Sequence, residues 1–396
     1  MMLRRRFRIP CLVLVALLAG CDQQVACPQW NEACRDAETV ESPMQYATTG
    51  AIRTFLGKND FKIAFTRKSH LYLLLPGSSD ASSPRVLLVD RGDEGQGGGI
   101  GDPNSPAFSD DGSWLAFAGD FLSQGNTRSF VVHADSSSGF GTRAIVSRNG
   151  QFLEPRWHAE NGTAWLYGVD RQMSTWSASD STVNGGTYRV SFAGGSLGSV
   201  ERATVRGNSV PGAFKGGISR DGHWMATSYG ASVLWNVADN VRYLLNSGVQ
   251  QCNPSINPYD STTTAHGDYF MILGFGGTNP VPTVDGNGVV EGQHEHLWIW
   301  NHANKAVWKA DLPSGYEEWQ RPRWSTHPDF ATALAKRNGS GDIGNYDLFL
   351  VKIDKDSSLS IGSESSLQSS VGLLKLVWNA DVSFASRDWS HMWVLR

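Results

Sequence analysis

The stretch SPAFSDDGSWLAFAG, residues 105–119, has the pattern of a strand, a tight turn and a second strand. Apolar residues flank Asp111-Gly112, a dipeptide that is typical of two-residue hairpin turns. A single hairpin is common to many folds, so the recurrence of this pattern along the chain decides the fold.

The hairpin pattern returns five times after residue 119. EPRWHAENGTAWLYG (154–168) and GGISRDGHWMATSYG (216–230) carry Asn161-Gly162 and Asp221-Gly222 at the turn. More divergent copies are CNPSINPYDSTTTAHG (252–267), RPRWSTHPDFATALAK (321–336) and ADVSFASRDWSHMWVLR (380–396). The copies align on Ser109, His158, Ser219, Asn257, Ser325 and Ser386, and they recur on average about every 55 residues.

This period predicts an all-β protein, a six-bladed β-propeller of four-stranded blades around a channel. Seven blades would need a further copy, for which the long segment 170–205 is the candidate. The strand patterns KIAFTRKSHLYLLL (62–75) and PRVLLVD (84–90) have no inner hairpin before them. We therefore expect the N- and C-terminal strands to share one blade, which closes the ring and leaves no open sheet edge.

The copies SPAFSDDGSWLAFAG and GGISRDGHWMATS resemble the WD40-like repeat of TolB-type propellers, in which a Ser-Pro-Asp-Gly turn joins two inner strands. The resemblance covers about residues 58–396 and implies the propeller fold. This sequence differs from that of TolB because it shows no α/β domain pattern ahead of the repeats. TolB's partnership with a peptidoglycan-associated lipoprotein is therefore not carried over, and an envelope-assembly role would rest on analogy alone.

The N-terminal sequence MMLRRRFRIPCLVLVALLAGCDQQ (1–24) predicts export and lipidation. Four arginines precede a short apolar run, and Leu18-Ala19-Gly20-Cys21 is similar to a bacterial lipobox. We predict a lipoprotein signal peptide at 1–20, a polar tether that is lipidated at Cys21 at 21–57, and the propeller at 58–396. The protein would face the periplasm from a bacterial envelope membrane; the leaflet and surface exposure stay open, as does an ordinary cleaved signal.

The charge of the sequence excludes one class of partner, and its cysteine positions suggest one disulfide. Without the four signal arginines, 30 basic residues stand against 38 acidic ones, a formal charge of −8, which argues against a nucleic-acid partner. Cys27 and Cys34 are close enough in sequence for a small disulfide in an oxidising compartment, whereas Cys252 is left unpaired.

Two repeats carry a matched arginine–tryptophan pair where the inner strand would open onto the channel. These pairs are Arg156-Trp157 and Arg323-Trp324, and Asn253 begins the inner strand of another copy. Arginine offers a fork of donors and tryptophan a stacking face, which suits sugars or carboxylates. The alternative is structural: the arginines connect blades, and the tryptophans fill the core between them.

The stretch GQHEHLWIW (292–300) offers a metal-site alternative. Oligogalacturonate lyases, propellers of this repeat type, hold a divalent metal through several histidines and a glutamine. Gln293, His294 and His296, with His266 and His327 elsewhere, superficially resemble such a set, but the spacing of the lyases is not reproduced. We favour a polar loop that leads into the strand HLWIWN, with no metal and no cofactor.

These patterns together predict a non-catalytic binding or scaffold module for a carbohydrate or protein partner. We predict that the ligand contacts residues at the channel mouth, namely Arg156, Asn253, His294, Glu295, His296 and Arg323. The alternative is a metal-dependent, oligogalacturonate-type polysaccharide lyase.

Overall fold

The structure is a computed structural model that describes much of the chain from Gln45 onward. The described residues are 45–67, 70–76, 85–89, 94–95, 98–121, 126–134, 144–146, 152–169, 186–210, 216–229, 231–245, 251–257, 269–275, 293–301, 306–339, 346–353, 359–360, 371–378 and 390–395. The predicted signal peptide, Cys21, Cys27 and Cys34 lie outside them.

The described residues form six antiparallel sheets of four or five strands, a two-stranded ribbon and one helix. The first sheet contains β2 (Phe61–Arg67), β3 (His70–Leu74), β4 (Arg85–Val89) and β29 (Ser390–Val394). The second contains β5 (Glu94–Gly95), β6 (Gly98–Phe108), β7 (Trp114–Phe121), β8 (Asn126–His133) and β9 (Ala144–Ile145). The third contains β10 (Leu153–Glu160), β11 (Thr163–Val169), β12 (Thr187–Ala193) and β13 (Ser196–Arg202).

The remaining strands follow the same meander. The ribbon consists of β14 (Thr204–Val205) and β15 (Asn208–Ser209). The fourth sheet contains β16 (Gly217–Ile218), β17 (Trp224–Tyr229), β18 (Ala231–Asn236) and β19 (Val241–Leu245). The fifth contains β20 (Gln251–Ile256), β21 (Tyr269–Phe275), β22 (Gln293–Asn301), β23 (Ala306–Asp311) and β27 (Leu359–Ser360). The sixth contains β24 (Tyr316–Trp324), β25 (Phe330–Arg337), β26 (Tyr346–Ile353), β28 (Val371–Trp378) and β1 (Gln45–Tyr46).

One strand from each sheet contacts the corresponding strand of the next sheet, and we call these six the inner strands: β6, β10, β16, β20, β24 and β29. Their contacts run in a closed cycle, from β29 to β6 and onward through β24 back to β29. The last strand, β29, also pairs with β2, so both ends of the chain contribute to the first sheet. These contacts support the predicted six blades and shared terminal blade, which stay predictions.

The hairpin turns at Asp111-Gly112 and Asp221-Gly222 form as their sequences predict. In the second sheet, Ser109 Oγ lies 2.6 Å from Asp111 Oδ1, which accepts from the Ser113 N–H at 3.0 Å. Ser219 and Asp221 repeat the 2.6 Å contact in the fourth sheet. Gly112 has a φ of 69°, which a glycine tolerates and which completes the turn. Local side-chain hydrogen bonds therefore fix the repeated motif.

The folded domain begins before residue 58, so the predicted tether boundary moves. β1 pairs with β28, and helix α1 (Thr49–Leu56) follows it, capped by the Thr48 hydroxyl that accepts from the Ala51 N–H. Ile52 and Leu56 are buried in the core that joins the first and sixth sheets. A polar composition concealed this segment, because only one short face of the helix is apolar.

The described part of the segment considered for a seventh blade belongs to the third sheet. β12 pairs with β11 on one side and with β13 on the other, so residues 187–202 complete the sheet that begins with β10. Residues 170–185 lie outside the described residues.

Candidate functional site

Inner strands of the second, third and sixth sheets share a bulge that positions the residues after it. Ser105, Glu154 and Arg321 each have a left-handed backbone, with φ of 51°, 51° and 48°, and each precedes a proline. Strand register shifts at the same places. Proline suits a bulge because it has no N–H to leave unpaired, and bulges re-aim the side chains beyond them.

The bulges bring Arg156 and Arg323 together across the inner strands. Arg156 Nη1 donates to the carbonyl oxygen of Pro155 at 3.0 Å, and Arg323 Nη2 donates to the same oxygen at 3.3 Å. Strands β10 and β24 are three steps apart in either direction around the cycle of inner strands. Arg323 therefore reaches across the space that these strands enclose, and two guanidinium groups share one acceptor.

Burial and mutual repulsion make this a strained electrostatic environment. Arg323 is 3% exposed, and its burial, together with the positive charge of Arg156, holds its pKa well below the usual value. Burial lowers the pKa of Arg156 to about 10, although the nearby Glu154 carboxylate opposes that shift. Both arginines stay protonated at neutral pH, because guanidinium groups do not lose their proton in proteins.

His391, on β29, completes what we call the central cluster: Glu154, Arg156, Arg323 and His391. Its Nδ1 accepts from the Phe108 N–H at 3.1 Å, and its ring also hydrogen-bonds to the backbone of Trp324. Burial first, and then the two arginine charges, hold its pKa well below the usual value. An accepting Nδ1 requires the neutral ring, so the cluster has two positive charges and one negative charge.

Sequence reasoning missed His391 because it aligned the last copy on Ser386. In the structure His391 has the same role as Ser255, since each side chain accepts a hydrogen bond from a backbone N–H of the next inner strand. The Ser255 hydroxyl accepts from the Trp324 N–H at 2.9 Å, as His391 accepts from the Phe108 N–H. Since β2 supplies the strand that pairs with β29, the last copy needs no hairpin turn of its own. The alignment therefore shifts, and no local sequence signal marks that shift.

The two tryptophans of the matched pairs pack in the core. Trp324 is 2% exposed and donates to the Pro328 carbonyl at 3.0 Å. Trp157 donates to the Ala107 carbonyl of the preceding sheet at 2.9 Å and contacts Phe192 edge to face. Trp324 is therefore a core residue, as the structural alternative has it, whereas Trp157 is half-buried against Phe192.

His294 lies in a different environment from the one predicted. It belongs to β22, the third strand of its sheet, so the predicted polar loop is a strand with a left-handed residue at φ 55°. His294 is 1% exposed; its Nδ1 lies 3.2 Å from Glu318 Oε1 and 2.9 Å from Gln320 Nε2. Burial raises the pKa of Glu318, but hydrogen bonds from His294 and Gln320 to its carboxylate hold that pKa below the usual value.

The other predicted site residues are placed only in part. Asn253 lies in β20, and Glu295 and His296 lie in β22, while their side chains are outside the described residues, as is His266. His327 Nδ1 accepts from the Asp329 N–H at 3.2 Å within its own turn. In the part of the chain that the structure describes, no group of three or more histidine, cysteine, aspartate or glutamate side chains is positioned to hold a metal.

The described residues also contain no helix long and apolar enough to cross a membrane.

Comparisons with known proteins agree on the fold. No protein-family model matches the sequence, and a search of curated proteins finds no match. The structure of TolB from Acinetobacter baumannii has a TM-score of 0.50 at 10% identity, over 86% of this chain and 69% of that one. The chain folds as a TolB-like β-propeller. The all-β prediction is confirmed, and at this identity the similarity shows the fold alone.

Two further structures resemble the TolB-like propeller more weakly. A structure assigned to TolB from Agrobacterium tumefaciens has a TM-score of 0.42 at 11% identity, over 85% of this chain and 99% of that one. An oligogalacturonate lyase in complex with manganese has a TM-score of 0.33 at 13% identity, over 63% and 61% of the two chains. Neither similarity distinguishes a binding module from an enzyme.

Proposed function

We propose that this TolB-like propeller is a non-catalytic binding module of the bacterial envelope, with a carbohydrate or protein ligand at the centre of the inner strands. The observation that carries the proposal is the convergence of Arg156 and Arg323 on one carbonyl oxygen. The planar guanidinium group of arginine recognises polar ligand groups through several N–H donors that point in fixed directions. Propellers bind ligands where their inner strands meet, so the central cluster is the site in this fold.

The predicted anchor supports an envelope location. The lipobox-like Leu18-Ala19-Gly20-Cys21 follows a basic and apolar signal pattern, and lipidation at Cys21 would hold the propeller at a membrane surface. Radiolabelled palmitate incorporation tests this step. We expect label in the wild-type chain and none in Cys21→Ser; label in both chains would contradict the predicted modification site.

Binding is tested with the full chain in detergent on arrays of neutral and acidic glycans and of envelope-derived peptides. Arg156→Gln and Arg323→Gln are compared with Arg220→Gln, a matched control whose side chain is 46% exposed. We expect one ligand class to bind the wild type and the control, and to bind both central variants at least tenfold more weakly. A ligand that binds all four proteins equally would place the site elsewhere.

A further inference from the structure

Within the central cluster, positive charges outnumber negative ones, and Arg156 is half-buried whereas the other three residues are buried. Arg156 and Arg323 contribute two positive charges, the Glu154 carboxylate offsets one, and the neutral His391 offsets none. Glu154 and Arg323 are 6% and 3% exposed. Within these four residues the positive charges outnumber the negative one, and an anion stabilises a buried positive charge, so this cluster is suited to receive one monovalent anion.

One donor of this cluster also lacks an acceptor. Arg323 Nη2 donates to the Pro155 carbonyl, whereas Arg323 Nη1 is buried and has no hydrogen-bond partner among the described residues. A buried N–H without an acceptor loses its solvation and gains nothing in return. The charge and the open donor thus point to the same kind of ligand atom, an anionic oxygen.

Resting on the function proposed above, we infer that the central cluster binds a carboxylate group of the ligand, between the guanidinium groups of Arg156 and Arg323. A carboxylate is planar, has two acceptor oxygens and matches the guanidinium fork. Its single charge balances the charges of these four residues, whereas a phosphate dianion would leave them with an excess negative charge beside Glu154.

The carboxylate can come from an acidic sugar or from the C-terminus of a peptide, and both sources present the same group to the arginines. Glucuronate and N-acetylglycine are the two probes, and glucose and N-acetylglycinamide are their neutral counterparts. Acetate presents the carboxylate alone. Calorimetric titration of the full chain in a chloride-free, carboxylate-free buffer measures each affinity.

We expect acetate to bind with a stoichiometry of one, and whichever of glucuronate and N-acetylglycine represents the ligand to bind at least tenfold more tightly than acetate. The neutral probes should give no heat of binding. Arg323→Gln and Arg156→Gln should each weaken acetate at least tenfold, and Arg323→Lys should weaken it less, because charge remains but the fork is lost. Arg220→Gln should bind as the wild type does.

Several outcomes would overturn the inference: no carboxylate binds the wild type, chloride binds while carboxylates do not, or acetate affinity is the same in every variant. Should Arg323→Gln fail to unfold cooperatively in urea, Arg156→Gln and Arg323→Lys carry the comparison. If array ligands depend on both arginines but carboxylates do not bind, this inference fails and the proposed function stands. If carboxylates bind but no array ligand depends on the arginines, the proposed function fails.

Discussion

His391 Nδ1 accepts a hydrogen bond from the backbone N–H of Phe108, 283 residues earlier in the chain, at 3.1 Å. The bond joins the last strand to the inner strand of the second sheet. The same ring contacts the backbone of Trp324 in the sixth sheet. One buried side chain therefore connects three sheets at the place where the two ends of the chain meet.

Replacing His391 by alanine should destabilise the propeller markedly. The Phe108 N–H would lose its acceptor in a buried site, which costs about 1–3 kcal/mol, and the cavity adds to that cost. Urea denaturation measures the difference. His223→Ala removes a half-buried ring whose Nδ1 lies 3.4 Å from Arg206 Nη1, and it should cost less than about 1 kcal/mol. Equal losses would show that His391 does not hold the sheets together.

Acid should destabilise the protein between pH 6.5 and 5 through this histidine. The pKa of His391 is far below its usual 6.5 in the folded state, so on acidification the unfolded chain takes up a proton first. The free energy of unfolding should fall by about 1.4 kcal/mol per pH unit for each such proton. Burial also lowers the pKa of His158, which adds to the slope.

The pH slope is measured by urea denaturation at intervals from pH 7.5 to 5. His391→Gln keeps an acceptor for the Phe108 N–H but does not titrate. The slope of its unfolding free energy against pH should therefore be smaller by nearly the contribution of one proton, about 1.4 kcal/mol per pH unit. An unchanged slope in this variant would assign the acid sensitivity to other groups.

The turns were predictable because their cause is local. Asp111 and Gly112 determine one hairpin through side-chain hydrogen bonds and a left-handed φ, and both features depend on adjacent residues. The pairing of β29 with β2 follows from the whole ring, so its register could not be read from the last copy. The same holds for the site. The repeated Arg-Trp pairs identified Arg156 and Arg323 from the sequence, but their convergence on the Pro155 carbonyl depends on the whole ring and could not be predicted.

Gly112 should be far less tolerant of alanine than Gly162, although both have a left-handed backbone at φ 69° and 76°. An added Cβ at Gly112 would lie 2.5 Å from the Trp393 ring, whereas at Gly162 it would meet nothing within 4 Å. Backbone strain alone costs about 1–2 kcal/mol in each variant. Gly112→Ala should lose at least about 1 kcal/mol more by urea denaturation, because a packed ring must also move. Equal losses would exclude a packing role for Trp393 at this turn.

The N-terminal helix should contribute to stability as part of the folded domain. Ile52 is 0% exposed in the core of the first and sixth sheets, so Ile52→Ala should cost about 2–4 kcal/mol. Thr54→Ala, at an exposed position on the same helix, should change stability by less than about 0.5 kcal/mol. Urea denaturation compares the two. A neutral Ile52→Ala would return residues 49–56 to the tether that their polar composition suggested.

The buried carboxylate of Asp347 should contribute strongly to the stability of the sixth sheet. It is 0% exposed and accepts from Arg337 at 2.6 and 3.0 Å, from Lys375 at 2.7 Å and from the Tyr316 hydroxyl at 2.5 Å. Removing one partner of a buried ion pair leaves the others without compensation. The side chains of Arg337 and Lys375 are 25% and 35% exposed, so water would recover part of their solvation.

We therefore expect Asp347→Asn to cost about 2–4 kcal/mol in urea denaturation, somewhat less than for a fully buried pair. The control is Glu201→Gln, because Glu201 pairs with Arg189 at 2.7 Å but is 50% exposed. Exposed pairs contribute at most about 1 kcal/mol, since water competes for both charges. If the two variants lost the same stability, burial would not set the strength of the Asp347 cluster, and the same reasoning would fail for the charges of the central cluster.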